Sequence, residues 1–276
     1  MKREPAVAGL FYPFDPIALR RDIEKSFLGN LGPGDLPKVN KNKLEKPVGL
    51  ISPHAGYMYS GQVAAWGFYE LAKFGTPELF ILIGPNHTGF GARIGIWDKG
   101  EWETPFGVVP IHEEAVRILL ETSKYARVSY ESHLKEHSLE VQIPFIQYVF
   151  ENIPILPISL LDQSFSIVED LSNALKEVLK SIPSTVILAS TDLNHYEDHQ
   201  TTLNKDNLVI EMIENMDVEG LYRVLGEYEI SMCGYGGVGV LLNMKIGKPK
   251  ILKHATSGDV TGDKLEVVGY MSAIFV

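Results

Sequence analysis

Residues 48–61 read VGLISPHAGYMYSG: an unbroken apolar run that stops at Pro-His and passes directly toward a stretch with helical spacing. A half-wet strand alternates apolar and polar residues, whereas VGLIS (48–52) does not, so both of its faces need cover. The helix that follows, GQVAAWGFYELAKF (61–74), is long and apolar enough to supply part of it. The same pattern recurs downstream. LFILIG (79–84), IPILPISLL (153–161), TVILAS (185–190) and LEVVGYMSAIFV (265–276) read as further strands. SIVEDLSNALKEVLKSI (166–182) reads as an amphipathic helix with Ile167, Leu171, Leu175 and Val178 along one side. Buried strands interleaved with helices predict an α/β fold with a parallel or mixed sheet covered on both faces. Pro157 has no N–H for a ladder and is expected near an edge or a strand start.

Upstream, FDPIALRRDIEKSF (14–27) predicts a helix capped by Asp15, with Pro16 in its first turn. Residues 29–47 are rich in turn formers and without period, which predicts a long surface loop rather than a domain boundary.

The formal net charge of −10, with no dense basic cluster, excludes a surface that tracks nucleic-acid phosphates. KVNKNKLEK (38–46) is spaced out and reads as solvated loop. No run approaches the ~18 apolar residues of a membrane span, so no membrane partner is expected. The N-terminal MKREPAVAGLFYP lacks an apolar signal core. A single cysteine, Cys233, permits no intrachain disulfide and fits a reducing compartment, so a cytoplasmic protein is expected.

Reactive groups of open α/β sheets collect beyond the carboxyl ends of the strands. Here VGLIS runs into His54, LFILIG into Asn86 and His87, and TVILAS into Asp192 and His195. Each alone has a structural explanation: His54 and His87 could shape turns, and Asp192 could cap a helix that places His195 on its own face. Three imidazoles delivered to one sheet edge instead predict a shared site. Cys233, in SMCGYGGVGVLL (231–242), precedes an apolar helix, and the neighbouring glycines permit close backbone approach. A small buried hydrophobe is the plain alternative; a metal ligand or a nucleophile whose thiolate the helix dipole stabilises is the functional one. In KEHSLEVQIPFIQYVF (135–150), His137 and Glu140 are spaced to share a helical face and line the pocket or orient a ligand, while Glu136 suits a helix start. Tyr57 and Tyr59 are candidate pocket contacts; His254 is a weaker one, and His112, His133 and His199 are expected to be solvated.

REPAVAGLFYP, SPHAGYMYSG, GPNH, EHSLEVQIPF, STDLNHY and MCGYGGVGVLL, in this order, resemble the Memo family over essentially the whole chain. Memo proteins are similar in fold to the class III extradiol ring-cleaving dioxygenases. The resemblance implies one three-layer α/β/α domain over residues 1–276 with a central mixed, largely parallel sheet. It also implies a metal site of His54, His87 and Cys233, with Asp192 and His195 alongside, where the dioxygenases use two histidines and a carboxylate. A thiolate in place of the carboxylate softens the site: Fe(II) is the first expectation, with copper or zinc as competitors. Three functions follow. A metal-dependent redox enzyme would act on a small molecule with His195 as base, oriented by Asp192. A hydrolase would use Cys233 as nucleophile or zinc-activated water. A binding module would hold a peptide or small ligand without turnover.

Overall fold

The structure is a computed structural model that describes all 276 residues. Its strands are β1 (Lys2–Arg3), β2 (Val48–Ser52), β3 (Leu79–Pro85), β4 (Ile94–Ile96), β5 (Glu101–Thr104), β6 (Gly107–Pro110), β7 (Ala126–Val128), β8 (Ile155–Leu160), β9 (Thr185–Ser190), β10 (His195–Glu197), β11 (Pro249–Thr256) and β12 (Val267–Phe275). Nine of them form the central sheet in the order β10-β12-β2-β9-β3-β8-β4-β7, with β11 added along β12. The four strands β2, β9, β3 and β8 run parallel, and β12 and β4 run antiparallel to their inner neighbours. The expected mixed α/β sheet is therefore observed. β1, β5 and β6 make a separate small sheet.

Both faces are covered, as the absence of alternation requires. Side chains at successive strand positions point to opposite faces. On β2 the Cβ side of Gly49 meets Leu241 of the helix Tyr235–Met244, while Leu50 meets Gly67 of the helix Tyr57–Leu71. Those two helices thus lie on opposite sides of the sheet. Helix Tyr57–Leu71 begins four residues before its expected start, directly after the Pro-His-Ala-Gly turn.

Pro157 departs from expectation: it lies in β8, an interior strand between β3 and β4. The Ile155 carbonyl accepts from His112 N on the β4 side, so Pro157, two residues on, also turns its nitrogen to that side. Pairing with β4 starts only at Ile158, so no ladder bond is lost there. Residues 191–194, where Asp192 could have capped a helix, instead run irregularly into β10, and the helix there spans His199–Glu214. His133 is the reverse of a solvated residue. It is fully buried beside Trp97 and Trp102, its Nε2 faces the Gly95 carbonyl, and burial together with nearby Arg3 lowers its pKa to about 3.

Candidate metal centre

The parallel strands β2, β3 and β9 end side by side, and the chain leaving each brings His54, His87 and Asp192 to the same edge. Cys233 arrives from the other direction, one residue before Gly234, the N-cap of the helix Tyr235–Met244. A Cβ on Gly234 would strike the Ser190 carbonyl oxygen at the end of β9, so only glycine lets this segment come so close.

One donor atom each from His54, His87 and Cys233 lies within 4.8 Å of the others. Cys233 Sγ is 3.2 Å from His54 Nε2. The ring centroids of His54 and His87 are 5.2 Å apart, edge to face.

The hydrogen bonds around the rings decide which nitrogens are free. Ser190 Oγ donates its single proton to the Ser138 carbonyl at 2.6 Å. Ser190 therefore accepts from His54 Nδ1 at 3.0 Å, and His54 Nε2 carries the lone pair that faces the sulfur. Gln142 Nε2 also donates to Ser190 Oγ and to the Pro53 carbonyl, bracing the turn. His87 Nδ1 lies 2.9 Å from Glu136 Oε1, which leaves His87 Nε2 for a ligand. A carboxylate or hydroxyl behind each imidazole is the arrangement that fixes tautomer and ring orientation in metal sites.

By its position in the sequence Glu136 suits no more than a helix start. Residues 135–139 instead form an irregular segment ahead of the short 3-10 turn Glu140–Gln142, and the buried Glu136 carboxylate accepts from His87 N, His87 Nδ1, His137 N and Ser138 N. Burial alone would raise its pKa, but these donors and the His87 ring hold it at about 2. His137 stacks on His87 with centroids 4.6 Å apart. His87, Glu136 and His137 form a second possible donor group. Four donors already occupy the carboxylate, so Glu136 is suited to hold His87 rather than an ion.

The remaining candidates separate clearly. Glu140 does not share a face with His137 and does not reach the pocket. Its fully buried carboxylate pairs with Arg3 Nη1 at 2.7 Å and accepts from Ala6 N, Val7 N and Tyr12 Oη, clamping the N-terminal segment. Tyr57 is buried with its hydroxyl on the Val141 carbonyl, whereas Tyr59 lines the cavity. Asn86 shapes the turn that carries His87, its Oδ1 accepting from Thr88 N and Gly89 N. Asp192 Oδ1 accepts from His54 N at 2.8 Å, and burial raises its pKa to about 7. It does not orient His195. That role falls to Ser231, whose hydroxyl accepts from His195 N and whose carbonyl accepts from Nδ1 at 2.9 Å, leaving Nε2 as the ring's basic nitrogen. His254 faces the buried Asp206 at 2.8 Å, away from the cavity lining. Burial, and then the charge of Asp192, pushes the Cys233 thiol well up, against the expected thiolate stabilised by the helix dipole. Its imidazole neighbour is His54, not His195.

A cavity of about 570 Å³ opens over this cluster, lined by His54, His87, His137, Asp192 and His195 together with aromatic residues. Fold and cluster together define an α/β protein with a nitrogen–sulfur donor group at the carboxyl edge of a largely parallel sheet. The chain belongs to the Memo-like protein family, whose model matches residues 3–274. A MEMO1 family protein of Thermotoga petrophila is 58% identical over 275 residues, covering 99% of each chain. One from Metallosphaera sedula is 46% identical over 280 residues, covering 100% of this chain and 99% of its own. A solved structure of an uncharacterised Escherichia coli K12 protein superposes with a TM-score of 0.52 at 11% identity, covering 83% of this chain and 99% of its own, a likeness of fold. No helix is long and apolar enough to cross a membrane.

Proposed function

We propose that the protein binds one metal ion through His54 Nε2, His87 Nε2 and Cys233 Sγ, and uses it in redox chemistry on a small molecule held in the cavity above. The observation that carries this reading is the locking of the two rings: Ser190 and Glu136 occupy both Nδ1 atoms, so both free lone pairs belong to Nε2. Two imidazoles and one thiol make a mixed, moderately soft donor group, suited to Fe(II) first and to copper or zinc as alternatives. The raised thiol pKa fits a sulfur that ionises when a cation arrives, since a bound metal deprotonates a coordinating thiol outright. A redox-active ion would exchange electrons with substrate or oxidant there. His195 would take a substrate proton at Nε2, held in place by Ser231. Asp192, whose burial raises its pKa to about 7, would exchange a proton from the same cavity wall. The single cysteine suits the reducing cytoplasm as its location.

Cobalt(II) substitution tests the sulfur's part. Thiolate-to-cobalt charge-transfer absorption is expected on titration of the wild type and absent from Cys233→Ser. Equal spectra from the two would exclude Cys233 as a ligand.

A further inference from the structure

The upper walls of the cavity have a composition that the metal reading does not use. Phe11, Tyr59, Tyr196 and Tyr270 supply aromatic rings, and the charged side chains among the lining residues are Asp192 and the exposed Glu266, with no lysine or arginine. Among the lining imidazoles, His87 turns its Nδ1 to the Glu136 carboxylate at 2.9 Å. The whole chain carries −10, which adds a field that draws cations toward the mouth.

Tyr196 is the unusual member. It is 73% exposed, and its backbone sits at φ 61°, a region that bulky side chains rarely adopt. It lies where the β10–β12 register slips between His195 and Glu197, and its ring centroid is 5.6 Å from that of His195. A bulge beside a site re-aims a side chain, and strain held at an exposed residue points to a role for the side chain it presents. Glycine or asparagine would occupy this backbone with less cost.

We infer that the cavity selects small aromatic amines, with Tyr196 and Tyr59 contacting the ring or the ammonium group and Glu266 at the mouth favouring the positive charge. An ammonium group over an aromatic face, near a carboxylate, is attracted by both. A carboxylate or phosphate ligand would find no cationic side chain in the walls. This inference takes the cavity of the proposed function as the ligand site, but the selectivity resides in the walls and not in the metal.

The test is calorimetric titration of the full-length protein, chelated and zinc-loaded, with two probes of like shape and opposite charge: 2-phenylethylamine and 3-phenylpropionate. In the chelated protein the amine is expected to bind at least about tenfold tighter than the acid, a preference that weakens with added salt. Tyr196→Gly and Glu266→Gln are each expected to weaken amine binding by about two- to fivefold, the size of an exposed cation–π contact. Tyr196→Phe should retain it. Tyr196→Gly should also melt no lower than wild type, since it relieves the backbone, so lost binding could not be charged to lost folding. Equal or tighter binding of the acid in the chelated protein overturns the inference, as does unchanged amine affinity in both Tyr196→Gly and Glu266→Gln. Failure to take up zinc would count against the metal site alone, leaving the comparison in chelated protein to decide the selectivity.

Discussion

Arg3→Met removes the cation from a carboxylate that has no route to water. Arg3 Nη1 lies 2.7 Å from Glu140 Oε2, and both side chains are fully buried. Three further donors, Ala6 N, Val7 N and Tyr12 Oη, reach the same carboxylate, so the geometry holds Glu140 in place. Arg3 also donates to the carbonyls of His133 and Glu136, and its guanidinium lies 4.2 Å from the centre of the Trp102 ring. Breaking a buried pair by deleting one partner costs about 3–5 kcal/mol, chiefly through the charge left behind. For a chain of this size that corresponds to a fall in Tm of roughly 5–9 °C. Most of the cost is electrostatic, so Arg3→Met/Glu140→Gln, which removes the orphaned charge as well, should recover at least about 1 kcal/mol relative to Arg3→Met. Urea unfolding of wild type, both single variants and the double variant measures the coupling directly. A loss below about 1 kcal/mol in Arg3→Met, or a double variant whose loss is the plain sum of the two singles, would refute a charged buried clamp. Because Arg3 Nη2 also holds the Glu136 carbonyl, the single variant is expected to loosen the support behind His87 and weaken zinc binding.

Other consequences can be checked separately. Ser190→Ala removes the acceptor of His54 Nδ1–H, and Glu136→Gln removes the carboxylate behind His87; each should lower zinc affinity by about 10–100-fold in competition with a chromophoric chelator, and unchanged affinity in both would dissociate these residues from the site. Glu136 is held at about 2 against an ordinary 4.5, so the unfolded chain binds the extra proton as the medium is acidified. The stability it contributes is fully present above about pH 4.5 and is lost as pH falls toward 2; urea midpoints across that window should drop more steeply for wild type than for Glu136→Gln, and parallel curves would contradict the shift. Gly234→Ala should destabilise by about 1–3 kcal/mol and displace Cys233, because the added methyl meets the Ser190 carbonyl, a backbone atom that cannot swing aside; wild-type stability in a thermal melt would rule out that close approach.

The parts of the fold that were legible are those where one physical constraint dominates. β2, β3, β8 and β9 are buried on both faces, so each announces itself as a continuous apolar run. Their carboxyl ends then located His54, His87 and Asp192 without coordinates, since topology alone brings the ends of parallel neighbours together. β4, β7 and β10 span three residues each, too few to show any period. The stretch around His195 leaves a helix cap open as an alternative for that reason: Asn194 and His195 owe their positions to Asp206 and Ser231, which are distant in sequence. Glu136 and Glu140 show the limit most plainly. Four residues apart in one apolar-flanked segment, one serves His87 and the other Arg3, and only the tertiary partner separates them. His133 was hidden likewise, its polar neighbours in sequence giving no hint of Trp97 and Trp102 around it.

Elemental analysis of anaerobically purified protein, wild type beside His54→Ala/His87→Ala, bears most directly on the proposed centre. One equivalent of a transition metal per chain in the wild type, and a loss of at least tenfold in the folded double variant, is the predicted result. The same metal content in both proteins would contradict it.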